Sequence, residues 1–315
     1  MGDLRFDGRV AVVTGGGRGL GRSYALLLAS QGAKVVVNDP GGGLRGGGSE
    51  ASHPPPAEAT PADDVVREIT AAGGEAVSST DSVATPAGGK AIIDTALETY
   101  GRVDILIHNA GIVRGASLRE MTYDDFEAVL DVHLRGAFHV VRPAFPVMCD
   151  AGYGRIVLTS SIGGLYGNHR VANYAVAKAG VIGLSNVAAM EGAADGVKSN
   201  VIVPAAVTRM TEGIDTSAYP PMGSDLVAPA VAWLAHESCS VNGEMLIALA
   251  GRVARAIVAE TPGVYRPSWT IADVGDHIAA IRDASDPVVF PVVPDGHGDH
   301  IRYSFGMAAQ GAVSG

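Results

Sequence analysis

Residues 14–21 read TGGGRGLG and follow directly on the apolar run RVAVV at 9–13. The run is typical of a short buried strand, and a helix is predicted from about Leu20. Glycines allow a tight turn and a close approach of the backbone to a pyrophosphate, and the helix N-terminus offers unpaired N–H groups. The stretch therefore predicts a dinucleotide site, formed by Gly15, Arg18, Gly19, Leu20 and Gly21.

Apolar runs and helical stretches alternate along the following 180 residues. Further strands are predicted at 33–38, 103–107 and 155–159, and helices at 63–72, 86–100, 122–148 and 173–192. Continuous Val, Ile and Leu runs suit parallel strands that are covered on both faces. The alternation predicts an α/β protein with a Rossmann-type, doubly wound parallel sheet.

The alternating pattern occupies residues 1–250, which we expect to form one domain. Residues 40–61 interrupt it with a Gly- and Pro-rich insertion, a composition typical of a surface loop. Residues 251–315 are predicted to be a C-terminal extension packed on the core. Within it we expect two helical pieces and a Pro-rich segment, near 252–260, 270–283 and 286–296.

The net charge of the 315-residue chain is −10, from 23 Lys and Arg against 33 Asp and Glu. An acidic surface repels the phosphates of nucleic acids and anionic membranes, so neither is an expected partner. No apolar stretch reaches eighteen residues, and the first residues carry no leader pattern, so we expect no membrane span and a cytoplasmic location. Cys149 and Cys239 have no metal or redox spacing. DGHGDH at 295–300 is interpreted as a polar loop, and no metal site is predicted.

Asp39 ends the second predicted strand, eighteen residues after Gly21. A carboxylate at this point accepts hydrogen bonds from the adenosine ribose hydroxyls and repels a 2′-phosphate, which predicts NAD rather than NADP as the cofactor. Arg18 argues in the opposite direction, because an arginine in the turn can contact that phosphate. We give more weight to Asp39, because it faces the discriminating hydroxyl.

Residues 174–178 read YAVAK on a predicted helix. Positions four apart share one helix face, so Tyr174 and Lys178 project together. A nearby ammonium lowers the pKa of a tyrosine from about 10, which would make the pair a usable acid and base for an alcohol proton. Ser161 follows the strand at 155–159 and can hold a substrate oxygen. Ser160 has equal chemistry, and only its spacing disfavours it.

These motifs, together with NAG at 109–111, resemble the short-chain dehydrogenase/reductase family over roughly residues 5–250. The resemblance implies an oxidoreductase that moves a hydride between a nicotinamide ring and an alcohol or ketone carbon. It also implies a homodimer or homotetramer, paired through the helices at 122–148 and 173–192. Further cofactor contacts follow from the resemblance: Asp81 and Ser82 beside the adenine, Asn109 and Gly111 beside the central sheet, and Pro204 and Thr208 near the nicotinamide.

Two positions depart from the family pattern. His133, in VHLRG, stands where the family usually has an Asn that holds a water for a proton relay, and Ala205 follows Pro204 where a Gly is usual. We include His133 among the candidate catalytic residues. An alternative interpretation is an interior histidine with a purely structural role.

Several stretches resemble one branch of the family, the dehydrogenase part of type 2 peroxisomal multifunctional enzymes. They are NDPGG at 38–42, VHLRGAF at 132–138, YGN at 166–168 with ANYAVAK at 172–178, TRM at 208–210 and WLAHES at 233–238. That branch oxidises (3R)-hydroxyacyl-CoA to 3-oxoacyl-CoA with NAD, and related enzymes take steroids or steroid side-chain thioesters. The resemblance therefore implies an acyl-CoA or steroid-like substrate.

The residues themselves give only weak support for such a substrate. Candidate contacts with CoA phosphates are Arg114, Arg119 and Arg170, and candidate walls of an acyl pocket are Leu165, Tyr166 and Met210. Two alternatives remain open at this point. One is a 3-oxoacyl carrier-protein reductase, and the other is a non-catalytic nucleotide-binding sensor.

Overall fold

The computed structural model describes residues 4–43, 59–207 and 219–313. Its strands are β1 (Val10–Thr14), β2 (Lys34–Asn38), β3 (Glu75–Ser79), β4 (Ile105–His108), β5 (Gly154–Thr159), β6 (Val197–Ala205), β7 (Met245–Leu249) and β8 (Arg252–Ala256). They form one sheet in the order β3-β2-β1-β4-β5-β6-β7-β8, and every pairing from β3 to β7 is parallel. The chain reverses its winding direction between β1 and β4, where ligands bind in open sheets of this kind. The predicted Rossmann-type fold is confirmed.

The helices are α1 (Gly19–Ser30), α2 (Pro61–Ala71), α3 (Pro86–Tyr100), α4 (Tyr123–Leu130), α5 (Gly136–Asp150), α6 (Ile162–Tyr166), α7 (Ala172–Glu191), α8 (Ala228–Ala235), α9 (Ile271–Asp276), α10 (Ile278–Ile281) and α11 (Gly296–Val313). Threonine begins three of the early helices. Thr60, Thr85 and Thr122 each accept a hydrogen bond from a backbone N–H in the first turn. These caps satisfy donors that have no partner within the helix.

The sheet is covered on both faces. Successive strand residues point to opposite sides, so Val13, Val35 and Ile105 belong to one buried cluster and Val12 and Leu106 to the other. The first cluster includes residues of α1, α2 and α8, and the second includes residues of α3, α5 and α7. Burial on both faces explains why the strand sequences are continuously apolar.

Two predicted helices differ from the structure. The helix expected at 122–148 is interrupted by a π-helical turn, Asp131–Arg135, between α4 and α5. The prediction of a helix at 252–260 is wrong, because this stretch begins with the strand β8. Ala250 and Gly251, with φ of 49° and 78°, form the two-residue connection from β7 to β8, as is typical of tight hairpins.

Residues Met1–Arg255 and Ala256–Gly315 are two compact units. Within the second unit, Glu260 and Val288 exchange backbone hydrogen bonds of 2.9 and 2.8 Å. The segment at 295–300 is not the predicted loop, since it runs into the first turn of α11, where His300 lies 3.2 Å from Glu260. The predicted packing of the extension on the core stays a prediction, and residues 44–58 of the insertion lie outside the described ranges.

Within the described parts of the chain, no helix combines the length and the apolarity needed to cross a membrane.

Candidate active site

The carboxyl ends of four adjacent strands bring polar residues to one edge of the sheet. Thr14, Asn38, His108 and Thr159 are the last residues of β1, β2, β4 and β5, and all four are buried. The glycine-rich turn follows β1, and Ser160 and Ser161 follow β5. Parallel pairing thus collects segments that are far apart in the sequence.

Tight backbone packing requires glycine in the turn after β1. Gly15 and Gly19 have φ of 61° and 52°. A Cβ at Gly15 would lie 2.8 Å from Ala110 Cα, and a Cβ at Gly21 would lie 2.1 Å from Gly15 O. Arg18, the N-cap residue of α1, makes no side-chain capping hydrogen bond, so the first N–H groups of α1 stay available for an anion. The turn fits the pyrophosphate of a dinucleotide.

Asp39 lies directly against this turn. Its Oδ1 accepts a hydrogen bond of 2.9 Å from Gly41 N–H, and its Oδ2 lies 2.7 Å from the position of a Cβ at Gly17. Arg18 Nη1 makes a long contact of 3.4 Å with Gly42 O. A carboxylate beside the glycine turn suits the ribose hydroxyls of an adenosine.

The predicted adenine contacts lie beside Asn38. Asn38 Nδ2 donates to Asp81 O at 2.9 Å and to Ser79 O at 3.2 Å, which ties the segment after β3 to the end of β2. Ser79 Oγ also donates to Asp81 Oδ2 at 3.1 Å. Ser82 Oγ is engaged locally, as an acceptor from Ala84 N–H at 3.3 Å.

Asn109 and Gly111 join β4 to the rest of the site. Asn109 Nδ2 donates to Gly15 O at 3.2 Å, which fixes the glycine turn. A Cβ at Gly111 would lie 2.4 Å from His133 Cε1, so only glycine leaves room for the imidazole ring. The structure therefore places Asn109 against the glycine turn and Gly111 against the π-helical turn.

The structure distinguishes the two serines after β5. Ser160 Oγ is buried and donates to Lys178 O at 2.6 Å. Ser161 is the N-cap residue of α6, where its Oγ accepts a hydrogen bond of 3.1 Å from Gly163 N–H. Ser161 Oγ and the Tyr174 ring lie on the same side of Gly163, at 3.5 and 3.8 Å from the position of a Cβ there, and Ser161 acts to lower the pKa of Tyr174. Ser160 is thus an anchor for α7, and Ser161 is the serine that faces the tyrosine.

Tyr174 and Lys178 lie together on α7, as the spacing predicts. Lys178 Nζ is 5.6 Å from the centre of the Tyr174 ring and donates to Thr159 O at 2.6 Å. Burial lowers the pKa of Lys178 to about 7. Burial raises the pKa of Tyr174, and Ser161 opposes that rise. The predicted lowering of the tyrosine pKa is wrong for the protein alone, because desolvation outweighs the opposing effect of Ser161.

His133 lies in the π-helical turn, fully enclosed. Its Nε2 is 3.0 Å from Ile112 N and 2.8 Å from Ile112 O, and its ring meets the Tyr174 ring edge-on at 5.1 Å. Burial lowers its pKa well below the usual range, and the Lys178 charge adds to this effect. Its Nδ1 is buried without a hydrogen-bond partner among the described residues. Neutral His133 therefore supports the Ile112 peptide beside the tyrosine.

The predicted nicotinamide and substrate contacts are only partly described. Pro204 lies near the end of β6, paired with Ala248 of β7. Thr208 and Met210 lie outside the described residues. Tyr166 is exposed at the end of α6, after the half-buried Leu165.

Among the candidate phosphate contacts, Arg114 and Arg170 lie near each other and Arg119 is exposed. Arg114 Nη1 lies 3.3 Å from Asp125 Oδ1, so its charge is engaged. Arg170 is exposed with φ of 65°, and its carbonyl oxygen accepts a hydrogen bond of 2.8 Å from Ala116 N–H. Arg119 and Arg170 are therefore more accessible to a ligand than Arg114.

Two buried residues of the site were missed from the sequence. Asn173 Nδ2 donates at 2.9 Å to both Arg114 O and Asp125 O, which fixes the loop before α4 against the start of α7. His108 connects Thr14 with the π-turn. Each contact spans at least 25 residues, so no local pattern reveals it.

The comparison with known families identifies the chain. Residues 57–218 match the model of the family described as short chain dehydrogenase. The chain belongs to this family. It is therefore an oxidoreductase, and members of the family use NAD or NADP.

Individual relatives agree with the family assignment. The chain is 46% identical to peroxisomal multifunctional enzyme type 2 of Drosophila melanogaster, over 96% of its own length and 52% of that protein. It thus spans about half of this relative. The solved full-length structure of that enzyme has a TM-score of 0.76 at 40% identity, over 95% of this chain and 50% of the other. A short chain dehydrogenase from Mycobacterium avium has a TM-score of 0.75 at 38% identity, over 87% and 94% of the two chains.

Proposed function

We propose that this chain is an NAD-dependent dehydrogenase that oxidises (3R)-hydroxyacyl-CoA thioesters to 3-oxoacyl-CoA. The observation that carries the dehydrogenase chemistry is the meeting of Ser161, Tyr174 and Lys178 at the edge of the sheet that holds the glycine turn. Support for the thioester comes from the VHLRGAF and WLAHES resemblance and from the names of the relatives, one of which is a peroxisomal multifunctional enzyme type 2.

NAD is the cofactor we propose, because the Asp39 carboxylate lies against the glycine turn, where a 2′-phosphate would be repelled. Gly15, Gly19 and Gly21 would hold the pyrophosphate with the N-terminus of α1. Asp39 would hold the ribose hydroxyls, and Asp81 and Ser82 would lie beside the adenine. Bound NAD would supply the hydride acceptor.

The remaining steps belong to side chains of the chain itself. Ser161 would hold the substrate hydroxyl and Tyr174 would take its proton, because Ser161 Oγ and the Tyr174 ring face the same space beside Gly163. Lys178, when charged, stabilises the tyrosinate from beneath the ring. His133 would keep the Ile112 peptide in place beside Tyr174. Residue-level roles of this kind can be tested one substitution at a time.

The decisive assay follows NADH absorbance after NAD and a (3R)-hydroxyacyl-CoA are added to purified protein. The (3S) isomer, a steroid alcohol and NADP serve as parallel arms. We expect turnover with the (3R) thioester and NAD. Activity on the steroid alone, or on neither, would refute the acyl-CoA assignment and leave the family assignment standing. Preference for NADPH in the reverse direction would favour a 3-oxoacyl carrier-protein reductase.

We also propose that two or four copies of the chain associate through α5 and α7. Phe138, Val176 and Val187 lie on these helices and are each about half exposed, at 52%, 48% and 51%. Pairing of two copies would bury this apolar surface. Light scattering that gives the mass of a monomer would contradict the proposal.

The predicted cytoplasmic location can be tested by cell fractionation, with a peroxisomal location as the alternative raised by the name of the fly relative.

A further inference from the structure

His108 is fully buried at the end of β4, and neither the motifs nor the proposed chemistry gives it a role. Its two ring nitrogens contact two different segments. Nδ1 lies 3.0 Å from Thr14 Oγ1, at the start of the glycine turn. Nε2 lies 3.2 Å from His133 O, in the π-helical turn.

The hydrogen-bond partners determine which nitrogen carries the proton. Thr14 Oγ1 already accepts hydrogen bonds from Asn109 N–H at 3.1 Å and from Ala110 N–H at 3.2 Å. The Thr14 hydroxyl group therefore donates its hydrogen to His108 Nδ1, which must be the acceptor. At the other end, the carbonyl oxygen of His133 can only accept, so Nε2 must donate. Both ends require the same neutral tautomer, with the proton on Nε2.

The ring also keeps this form over a wide pH range. Burial lowers the pKa of His108 to about 3, and the nearby Lys178 charge adds to that effect. The backbone carbonyl contacts with His133 and Val132 act in the opposite direction but are weaker. His108 therefore remains a fixed connection, rather than a proton carrier.

The far end of this connection lies next to the reacting groups. His133, whose carbonyl oxygen His108 binds, lies with its Nε2 within 3.0 Å of the Ile112 peptide and with its ring 5.1 Å from the Tyr174 ring. The π-helical turn is a local departure from α-helical hydrogen bonding, and such departures are frequent at functional sites. His108 gives that support from the strand that also carries Asn109.

We propose that His108 is a positioning residue for the dehydrogenase reaction: by donating to His133 O while accepting from Thr14, it holds the π-turn, and with it His133, in register with Tyr174. The inference rests on the proposed function only in that Tyr174 is taken as the proton acceptor. The bond from Thr14 joins the glycine turn to the same support. Loss of the bond to His133 O should therefore affect turnover more than cofactor binding.

Two substitutions separate the ends of the connection. In His108→Asn, the side-chain oxygen can replace Nδ1 as the acceptor from Thr14, but no donor reaches His133 O. In His108→Gln, the longer side chain places an amide N–H group near the position of Nε2 and keeps the donor. We expect kcat to fall about 10- to 100-fold in the Asn variant and to stay within about threefold in the Gln variant, because small displacements of catalytic groups are costly.

The thermal midpoint should be similar in the two variants, since each retains one of the two bonds. The Asn variant should bind NADH at least as tightly as the Gln variant, because it keeps the bond from Thr14 at the glycine turn. A merely structural histidine would not produce a difference in kcat between variants of equal stability. Equal kcat values in the Asn and Gln variants, measured with whichever alcohol the unaltered enzyme oxidises, would overturn the proposal. Absence of turnover by the unaltered enzyme would instead refute the proposed function.

A second measurement needs no variant and keeps the inference testable if either substitution prevents folding. The ¹⁵N NMR spectrum of the imidazole rings distinguishes the tautomers of the unaltered protein. We expect His108 to be neutral at pH 7, with its proton on Nε2. A proton on Nδ1 would rule out the bond to His133 O and would overturn the proposal.

Discussion

The two edges of the sheet carry buried polar groups of different kinds. At the amino ends of the strands, Asp104 accepts hydrogen bonds from Val10 N–H at 2.9 Å, from Arg102 at 2.6 Å and from Arg9 at 3.2 Å. Arg155, buried at the same edge, donates to four backbone carbonyl groups. Charge at this edge is thus compensated within the protein.

The carboxyl edge leaves comparable groups without such compensation. Lys178 is buried with one hydrogen bond from its Nζ to Thr159 O within the described residues. His133 Nδ1 and Thr159 Oγ1 are buried and have no hydrogen-bond partner among those residues. Uncompensated polar groups cost stability, so an edge that retains them is a candidate for function. The amino edge has one such group, the neutral Tyr153 hydroxyl, and its paired charged groups are better explained by stability.

A pair of tyrosines tests this comparison with the largest expected effect. Tyr174→Phe should lower kcat by about 10²- to 10⁴-fold, the range for loss of a general base, because it removes the hydroxyl group that is proposed to take the substrate proton. NADH binding, followed by fluorescence, should be unchanged. Tyr153 lies at the amino edge between Arg9 and Arg155, and its hydroxyl has no hydrogen-bond partner among the described residues. Tyr153→Phe should therefore leave kcat unchanged, and retained turnover in Tyr174→Phe would refute the assigned role.

Substitution of the central carboxylate at the amino edge should give the opposite result. Asp104→Ala should lower the free energy of unfolding by about 1–3 kcal/mol, because it leaves the buried Val10 N–H group without its acceptor. It also removes a partner of the partly buried Arg9 and of the exposed Arg102. Activity per folded molecule should be unchanged. Denaturant titration and kcat measured on the folded fraction check the two expectations. Asp94→Ala, which removes a surface ion pair with Lys90, is the control and should change little.

The contrast also explains how far the sequence could predict this molecule. Helix α3 was predicted with its bounds Pro86–Tyr100, because apolar periodicity and a Thr-Pro start are local signals. The π-turn was missed, since a shift in backbone hydrogen bonding leaves the apolar pattern nearly unchanged. The stretch at 252–260 was wrongly predicted as a helix. Its strand β8 forms by pairing with β7 across the hairpin at Ala250–Gly251, and the local sequence does not reveal that pairing.

In the candidate site too, residues in local motifs could be predicted and residues that act through distant contacts could not. Ser161, Tyr174 and Lys178 stand in motifs with recognisable spacing. Asn173 and His108 act through contacts with residues between 25 and 94 positions away, which no single segment reveals. The choice between Ser160 and Ser161 depends on where each side chain points after β5. That direction is a property of the folded edge, not of the residue type.

A substitution at the carboxyl edge that alters the preference for NAD over NADP should have a smaller effect. Asp39→Ser should lower the ratio of kcat/KM with NAD to kcat/KM with NADP by about 10- to 100-fold, since hydrogen bonds to charged groups contribute about 1.5–3 kcal/mol. Steady-state kinetics with both cofactors measure the ratio. Asp39→Glu keeps the negative charge and serves as the control. If the unaltered enzyme uses NADP as efficiently as NAD, the role of Asp39 and the choice of NAD are both wrong.

The smallest effect concerns the buried lysine. Burial lowers the pKa of Lys178 to about 7 in the folded chain, whereas an unfolded lysine titrates near 10.4. Between these values the unfolded chain binds more protons, so this group makes the nucleotide-free protein more stable as pH rises, by up to about 1.4 kcal/mol per pH unit. The cost of burying the charge is fully present below pH 7 and is relieved above it.

Lys178→Met lacks this dependence, so its advantage in unfolding free energy over the unaltered protein should shrink by about 1 kcal/mol per unit between pH 7.5 and 9. Urea titrations at several pH values measure both proteins, and Lys90→Met, on the exposed face of α3, should follow the unaltered slope. Parallel slopes for Lys178→Met and the unaltered protein would mean that the lysine keeps its proton in the fold. The contrast between the two edges would then rest on the buried atoms of Asn38, His133 and Thr159 that have no hydrogen-bond partner among the described residues.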